Sequence, residues 1–268
     1  MPRESNLYTG ETMTRFAHIS DTHIRNVKYQ EEYKIVFKQL YESLEREQPD
    51  YIIHTGDIAH TKTQLSPEYF ELCSDFLKNL ADIAPTYIIL GNHDGNLKND
   101  NRQDAITPII EALGHPNLHL LKNAGETKLG KKFTLNVLSV FDRDNWTKPS
   151  NKSKINIALY HGAIRGCQIS DRFALESGED TISIFDGFDY AMLGDIHRRQ
   201  HLDEDGRIWY AGSTVQQNFG ESLLKGYLLW DIRGKKKFKV EPRLFMSPRP
   251  FVTVEINQDG TLPKVDVP

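Results

Sequence analysis

A chain of 268 residues, 38% apolar and 26% charged, is long enough to bury a sizeable core, as one large domain or two small ones. No apolar run approaches the roughly 20 residues needed to span a bilayer. A net charge of −4 excludes a histone-like polyanion binder but leaves room for a local basic patch. The two cysteines, Cys73 and Cys167, fit neither a disulfide framework nor a zinc motif, and packing in a reducing compartment is expected of them.

The opening residues lack the basic and apolar regions of a signal peptide, which predicts a cytoplasmic protein, and residues 1–12 are read as an extension ahead of Met13. Short apolar runs then recur, each closing on polar residues: "RFAHIS" (15–20), "YIIHTG" (51–56), "TYIILG" (86–91), "NIALYHG" (156–162) and "YAMLG" (190–194). Runs of this kind are what strands buried on both faces look like. Between the first three lie helical patterns. Residues 29–47 place Tyr33, Val36, Phe37, Leu40 and Leu44 at spacings of three and four. Residues 67–83 do the same with Tyr69, Phe70, Phe76, Leu77 and Leu80, after Ser66-Pro67 as cap and first position. The order is α/β, with ligands expected at the strands' carboxyl ends. From about 205, "RIWYAGS", "KGYLLWDI", "KKFKVEPRLF" and "RPFVTVEI" predict successive antiparallel strands, and the basic run 233–239 reads as a solvated turn.

Five polar clusters stand at strand ends: Asp21 and His23; Asp57 and His60; Asn92, His93 and Asp94; His161; Asp195 and His197. Singly, each has a plain explanation as a turn or a cap. Together, on neighbouring strand ends of one parallel sheet, they converge on a single rim. Carboxylates and imidazoles gathered without counter-charge lose solvation and repel, and bound cations remove that conflict. Oxygen and imidazole donors without thiolates suit manganese, iron, zinc or magnesium, and their number suits two ions rather than one. The expected chemistry is binuclear hydrolysis.

At these residues the chain resembles the calcineurin-like metallophosphoesterase superfamily, whose D-x-H, G-D, G-N-H-D, H and G-H-x-H motifs occur here in order between about Arg15 and Phe245. The resemblance implies a four-layer α-β-β-α sandwich. It implies that Asp21, His23, Asp57 and His197 hold a first metal, with Asp57 bridging to a second held by Asn92, His161 and Asp195. His93 would stand beside the leaving group, oriented by Asp94. Asp195 departs from the histidine usual at its position. The swap adds charge and a harder donor, so weaker Lewis acidity and a bias toward manganese or magnesium over zinc are expected.

Three features are similar to the SbcD-type branch of double-strand-break-repair nucleases. His60, three residues after Asp57, matches a histidine that meets the DNA phosphate there, and is equally readable as a helix-start residue. "GSTVQQNFGES" (212–222), with Ser213 and Thr214, matches a segment offering amides and hydroxyls to phosphates, and is also readable as a decorated turn. "PRPFVTVEI" (248–256) matches the opening of a DNA-capping domain, so the catalytic domain is expected over 13–247 and that further domain from 248–268. Arg198 and Arg199 would neutralise phosphates or stand solvated.

The implied reaction is phosphodiester hydrolysis by a hydroxide bridging two divalent ions, manganese first and magnesium second, with His93 protonating the leaving 3′ oxygen. The branch also implies 3′-to-5′ exonuclease and single-strand endonuclease activity on DNA and an SbcC-type ATPase partner. It implies a homodimer through 66–81 and 102–113, where Ile106, Ile109, Ile110 and Leu113 make a stripe that core packing would equally explain. The compartment would be the nucleoid, or a host cytoplasm for a phage-encoded protein. The rival readings are a phosphoesterase acting on nucleotides or phosphoproteins, and a non-catalytic scaffold, against which the retained His93 argues.

Overall fold

The structure, a computed structural model, describes residues 12–99, 102–170, 173–178 and 180–263, so of the expected extension only Thr12 is described. Two six-stranded sheets face each other. The first runs, in spatial order, β14 (Lys237–Phe245), β13 (Lys225–Gly234), β1 (Thr14–Ile19), β2 (Tyr51–His54), β3 (Thr86–Ile88) and β4 (Leu118–Leu120). The second runs β11 (Gln200–His201), β12 (Ile208–Tyr210), β10 (Tyr190–Gly194), β7 (Ile155–His161), β6 (Phe133–Leu138) and β5 (Gly125–Leu129). A small hairpin pairs β8 (Gln168–Ser170) with β9 (Phe173–Ala174).

The continuous apolar runs are explained by this layering, because both faces of the central strands are covered. Phe16, Ile53, Leu228 and Trp230 meet Leu135, Ile157, Leu159 and Met192 between the sheets. Their neighbours Ala17, Ile19, Ile52 and Leu229 face the other way, onto the helices α1 (Gln30–Glu47), α2 (Pro67–Ile83) and α3 (Thr107–Leu113). The start of α2 is as the sequence dictates: Ser66 caps it by accepting from the Tyr69 N–H, with Pro67 in the first turn. Phe70, expected on the apolar face, is 41% exposed. Both cysteines are buried and unpaired.

Several expectations change. The clusters do not leave one parallel sheet. β1, β2 and β3 belong to the first sheet and β7 and β10 to the second, so ligands meet across the gap between two sheets. The layer outside the second sheet is built by loops and two 3-10 turns, Arg143–Asn145 and Ile182–Phe185, which bring Trp146, Ile164, Cys167 and Phe185 onto Tyr160, Ala191 and Leu193. Of the four segments expected to pair antiparallel, Ile208–Tyr210 does so with β11 on one edge but joins β10 in parallel on the other. β13 and β14 do pair antiparallel around a turn inside the basic run, and "FVTVEI" forms no strand. The Ile106–Leu113 stripe is core: Ile106 and Ile109 are buried, and Ile110 and Leu113 pack against them. Among the described residues no helix is long and apolar enough to cross a membrane.

Candidate metal centre

Each cluster sits where a strand stops and the chain turns sharply. Asp21, His23, Asp57 and Asp195 all adopt left-handed backbone, with φ of 50°, 48°, 56° and 92°. Non-glycine residues take that conformation at a cost of about 1–3 kcal/mol each, sustained only where the surroundings over-determine it. Two glycines let the loops approach. A Cβ on Gly91 would lie 2.2 Å from Asp57 Oδ1, and one on Gly194 would lie 2.3 Å from Ser20 Oγ and 2.9 Å from His161 Nδ1.

The resulting donors fall into two sets sharing Asp57. In the first, His23 Nε2 lies 2.9 Å from His197 Nε2, 3.5 Å from Asp57 Oδ2 and 4.0 Å from Asp21 Oδ1. In the second, His161 Nε2 lies 3.4 Å from Asp57 Oδ1 and 3.7 Å from Asp195 Oδ1. Asp195 stands at the rim, its side chain 22% exposed, facing His161.

The fit to cations rests on what these atoms lack. His161 donates from Nδ1 to the Thr55 carbonyl at 2.7 Å, which leaves Nε2 as the inward atom, and that buried Nε2 has no protein partner. The buried Asn92 Oδ1 has none either. A buried acceptor without a partner, as Asn92 Oδ1 is, costs about 1–3 kcal/mol, and a divalent ion between the carboxylates would satisfy it while replacing the proton that His161 Nε2 holds against Asp57. Donor trios that can close on one ion form at Asp21, His23 and His197, and at Asp21, Asp57 and His161.

The electrostatics carry the same strain. Burial pushes the Asp21 carboxyl up to about 6, despite the pull of His161 and His197. Burial would also raise Asp57, but the His161 and His23 imidazoles outweigh it and hold that carboxyl below the usual range. Burial drives His23 down to about 3. Burial opposes a proton on His161, yet Asp57, Asp21 and Asp195 hold one there well above its ordinary pKa.

The remaining expected residues divide. His93 lies at the mouth, its ring 4.9 Å from that of His23, and its backbone N–H donates to Asp57 Oδ1 at 2.8 Å. His93 Nδ1 donates to the His60 carbonyl at 2.8 Å, so His60 orients the ring. Asp94, expected in that role, instead accepts the backbone N–H groups of Asp57, Ala59 and Gly91 at 2.8, 2.8 and 2.9 Å. It is fully buried and clamps the loops. The His60 ring lies 5.8 Å from His23, and burial lowers its pKa to about 4, so it is a neutral donor at neutral pH.

Ser213 and Thr214 are not phosphate contacts. Ser213 is 1% and Thr214 0% exposed; the first hydroxyl bonds Glu221 and Lys225, and the second donates to the Ser20 carbonyl. Arg198 and Arg199 line a pocket of about 250 Å³ beside His197. Sequence reasoning passed over Glu221, which accepts from His197 Nδ1 at 2.7 Å. Its only signal was an acidic residue inside the segment read as phosphate-binding.

Comparison with known proteins bears on the family of the chain. An uncharacterized protein, R555, of Acanthamoeba polyphaga mimivirus is 38% identical over 266 residues, covering 94% of this chain but only 19% of that protein. The chain thus spans about a fifth of that relative. A component of the nuclease SbcCD of Staphylococcus epidermidis is 25% identical, covering 83% of this chain and 67% of that component. A putative phosphoesterase, 244L, of invertebrate iridescent virus 6 is 28% identical, covering 67% and 63%. In fold, the chain is similar to GAP50, the anchor in the inner membrane complex of Plasmodium, at a TM-score of 0.51 and 14% identity, over 90% of this chain and 91% of that one. Residues 14–204 match the calcineurin-like phosphoesterase family, and the chain belongs to that family.

Proposed function

We propose that this phosphoesterase cuts the phosphodiester backbone of DNA. The observation that carries the reading is the cleft beside His93. It has a volume of about 650 Å³, and among the described residues His60, Lys62, Asn92, His93 and Lys98 line it without a carboxylate. In a chain of net charge −4, an acid-free cleft with two lysines at the reaction centre suits a polyanion. A second pocket, beside His197, is lined by Arg198, Arg199 and Lys225 together with Glu221, so cations outnumber carboxylates there as well. The likeness to a nuclease component supports the same substrate.

Asp21, His23, Asp57 and His197 would hold one divalent cation, and Asp57, Asn92, His161 and Asp195 a second, manganese being favoured by the added carboxylate. Such ions supply Lewis acidity toward a phosphoryl oxygen and make water nucleophilic near neutral pH. The chain's own groups do the rest. The His60 carbonyl holds one His93 proton on Nδ1, so the proton given to the leaving 3′ oxygen would be a second one, carried on Nε2 of the imidazolium. His60, neutral, donates a hydrogen bond rather than a charge to a phosphate. Lys62 donates to the Asn92 carbonyl at 3.0 Å, fixing a positive charge at the cleft wall.

The test is a parallel manganese-dependent assay on end-labelled single-stranded DNA and on a small phosphodiester. DNA is expected to be cut with the higher kcat/KM. A strong preference for the small diester overturns the nuclease reading and favours a nucleotide-directed enzyme.

A further inference from the structure

Glu221 lies in the strap between β12 and β13 and accepts five hydrogen bonds. His197 Nδ1 at 2.7 Å and Asn218 Nδ2 at 3.0 Å reach Oε1. Lys225 Nζ at 2.6 Å, Ser213 Oγ at 3.1 Å and the Gln217 N–H at 3.1 Å reach Oε2. The Lys225 side chain, 5% exposed, also bonds Ser213 Oγ and the His197 carbonyl. The strap is anchored both on the ligand-bearing loops, through Ser213 N–H to the His197 carbonyl and Thr214 to the Ser20 carbonyl, and on the segment around Phe251. Gln216 Nε2 reaches the carbonyls of Glu221 and Phe251, both at 3.0 Å, and its Oε1 accepts the Phe251 N–H at 2.9 Å.

A carboxylate so saturated with donors has one orientation, and it only accepts. The His197 proton must therefore sit on Nδ1, which turns the bare Nε2 toward His23 and the first donor set. Lys225 offsets the Glu221 charge, so the contact fixes geometry without adding a net anion to the centre. We propose that Glu221 is a positioning residue for metal binding. It fixes the tautomer and ring angle of His197, and Lys225 and Ser213 hold it in that role. Outer carboxylates of this kind typically change metal affinity by about 10–100-fold when removed. The inference rests on the two-cation reading of the centre but not on DNA as the substrate.

The experiment is calorimetric titration of manganese into the metal-free protein and its Glu221→Gln and Glu221→Leu variants, with nitrogen NMR of the His197 ring. Wild type should bind two ions and show a protonated Nδ1. Glu221→Gln, whose amide oxygen still accepts, should weaken one ion by about 10-fold, and Glu221→Leu by about 100-fold with mixed ring tautomers. The affinity for the other ion should hold. Wild-type affinity in Glu221→Leu overturns the inference. So does loss of both ions together with a lowered melting temperature in EDTA while Glu221→Gln behaves as wild type, which would make the role purely structural. If wild type itself takes up no manganese, the two-cation reading fails first and the inference with it. If it binds manganese but leaves DNA uncut, only the nuclease reading fails.

Discussion

The two rims of the centre are held by different means. On the first sheet, the loops after β1 and β2 continue as a backbone ladder: Asp21 N–H to Gly56, His23 N–H to Asp57, Ile24 N–H to Ile58 and His60 N–H to Ile24. Asp94 adds its three backbone acceptances beneath. On the second sheet, each ligand leans on a distant group: His161 on the Thr55 carbonyl, the Asp195 N–H on Asp21, and His197 on Glu221. The first rim is fixed by main chain, which few substitutions can alter. The second depends on side chains and on contact across the gap, so it should be the more tunable half.

Asp57 is the one ligand both halves share, so removing it should break the comparison outright. Asp57→Ala is expected to bind neither ion well and to lose on the order of 10³-fold in activity, since divalent ions contribute several kcal/mol to such reactions. Metal analysis after desalting, with a turnover assay, checks this. His93→Ala should cost about 10²–10⁴-fold in kcat, the range for a lost general acid, while both ions still bind. Normal cleavage by that variant would remove His93 from the reaction.

The contrast in holding strength has its own test. Asp94→Ala strands three buried N–H groups at about 1–3 kcal/mol each, whereas Thr214→Val loses one bond worth about 1 kcal/mol. Urea melts in EDTA should show that order, and equal losses would refute the claim that the first rim is the stiffer. A pH series adds a finer measure. Without metal, Asp21 keeps its proton up to about 6 and His161 keeps one above its usual range. Bound cations must displace both protons, so the logarithm of manganese affinity should rise by on the order of one to two per pH unit between about pH 5 and 7. A flat profile would mean these groups are not ligands. The smallest effect is expected from Asp195→His at the exposed edge: a shift of metal preference toward zinc, read by competitive titration.

The strands β1, β2, β3, β7 and β10 and the α2 cap could be read directly because burial on both faces forces apolar runs, and because a cap is a local bond between residues three apart; β4, β5 and β6 were not read. The candidate donors were readable for the same reason, each being tied to a strand end within a few residues. The partners of those ligands were not. Asp94 looked like a mate for the adjacent His93, but the left-handed turn at Asp57 leaves the Asp57 and Ala59 N–H groups for the buried Asp94 carboxylate to accept. Ser213 and Thr214 resembled phosphate-binding hydroxyls until the strap folded inward and used them itself.

By itself, then, the chain's order of residues determined those strands, the helical faces and the chemical kinds of donor, since these depend on periodicity and neighbours. Tertiary structure alone decided that the donors come from two sheets rather than one, and that Glu221, 24 positions beyond His197, orients it. Pairing of that sort depends on distance in space, which a carboxylate in a polar strap does not advertise along the chain.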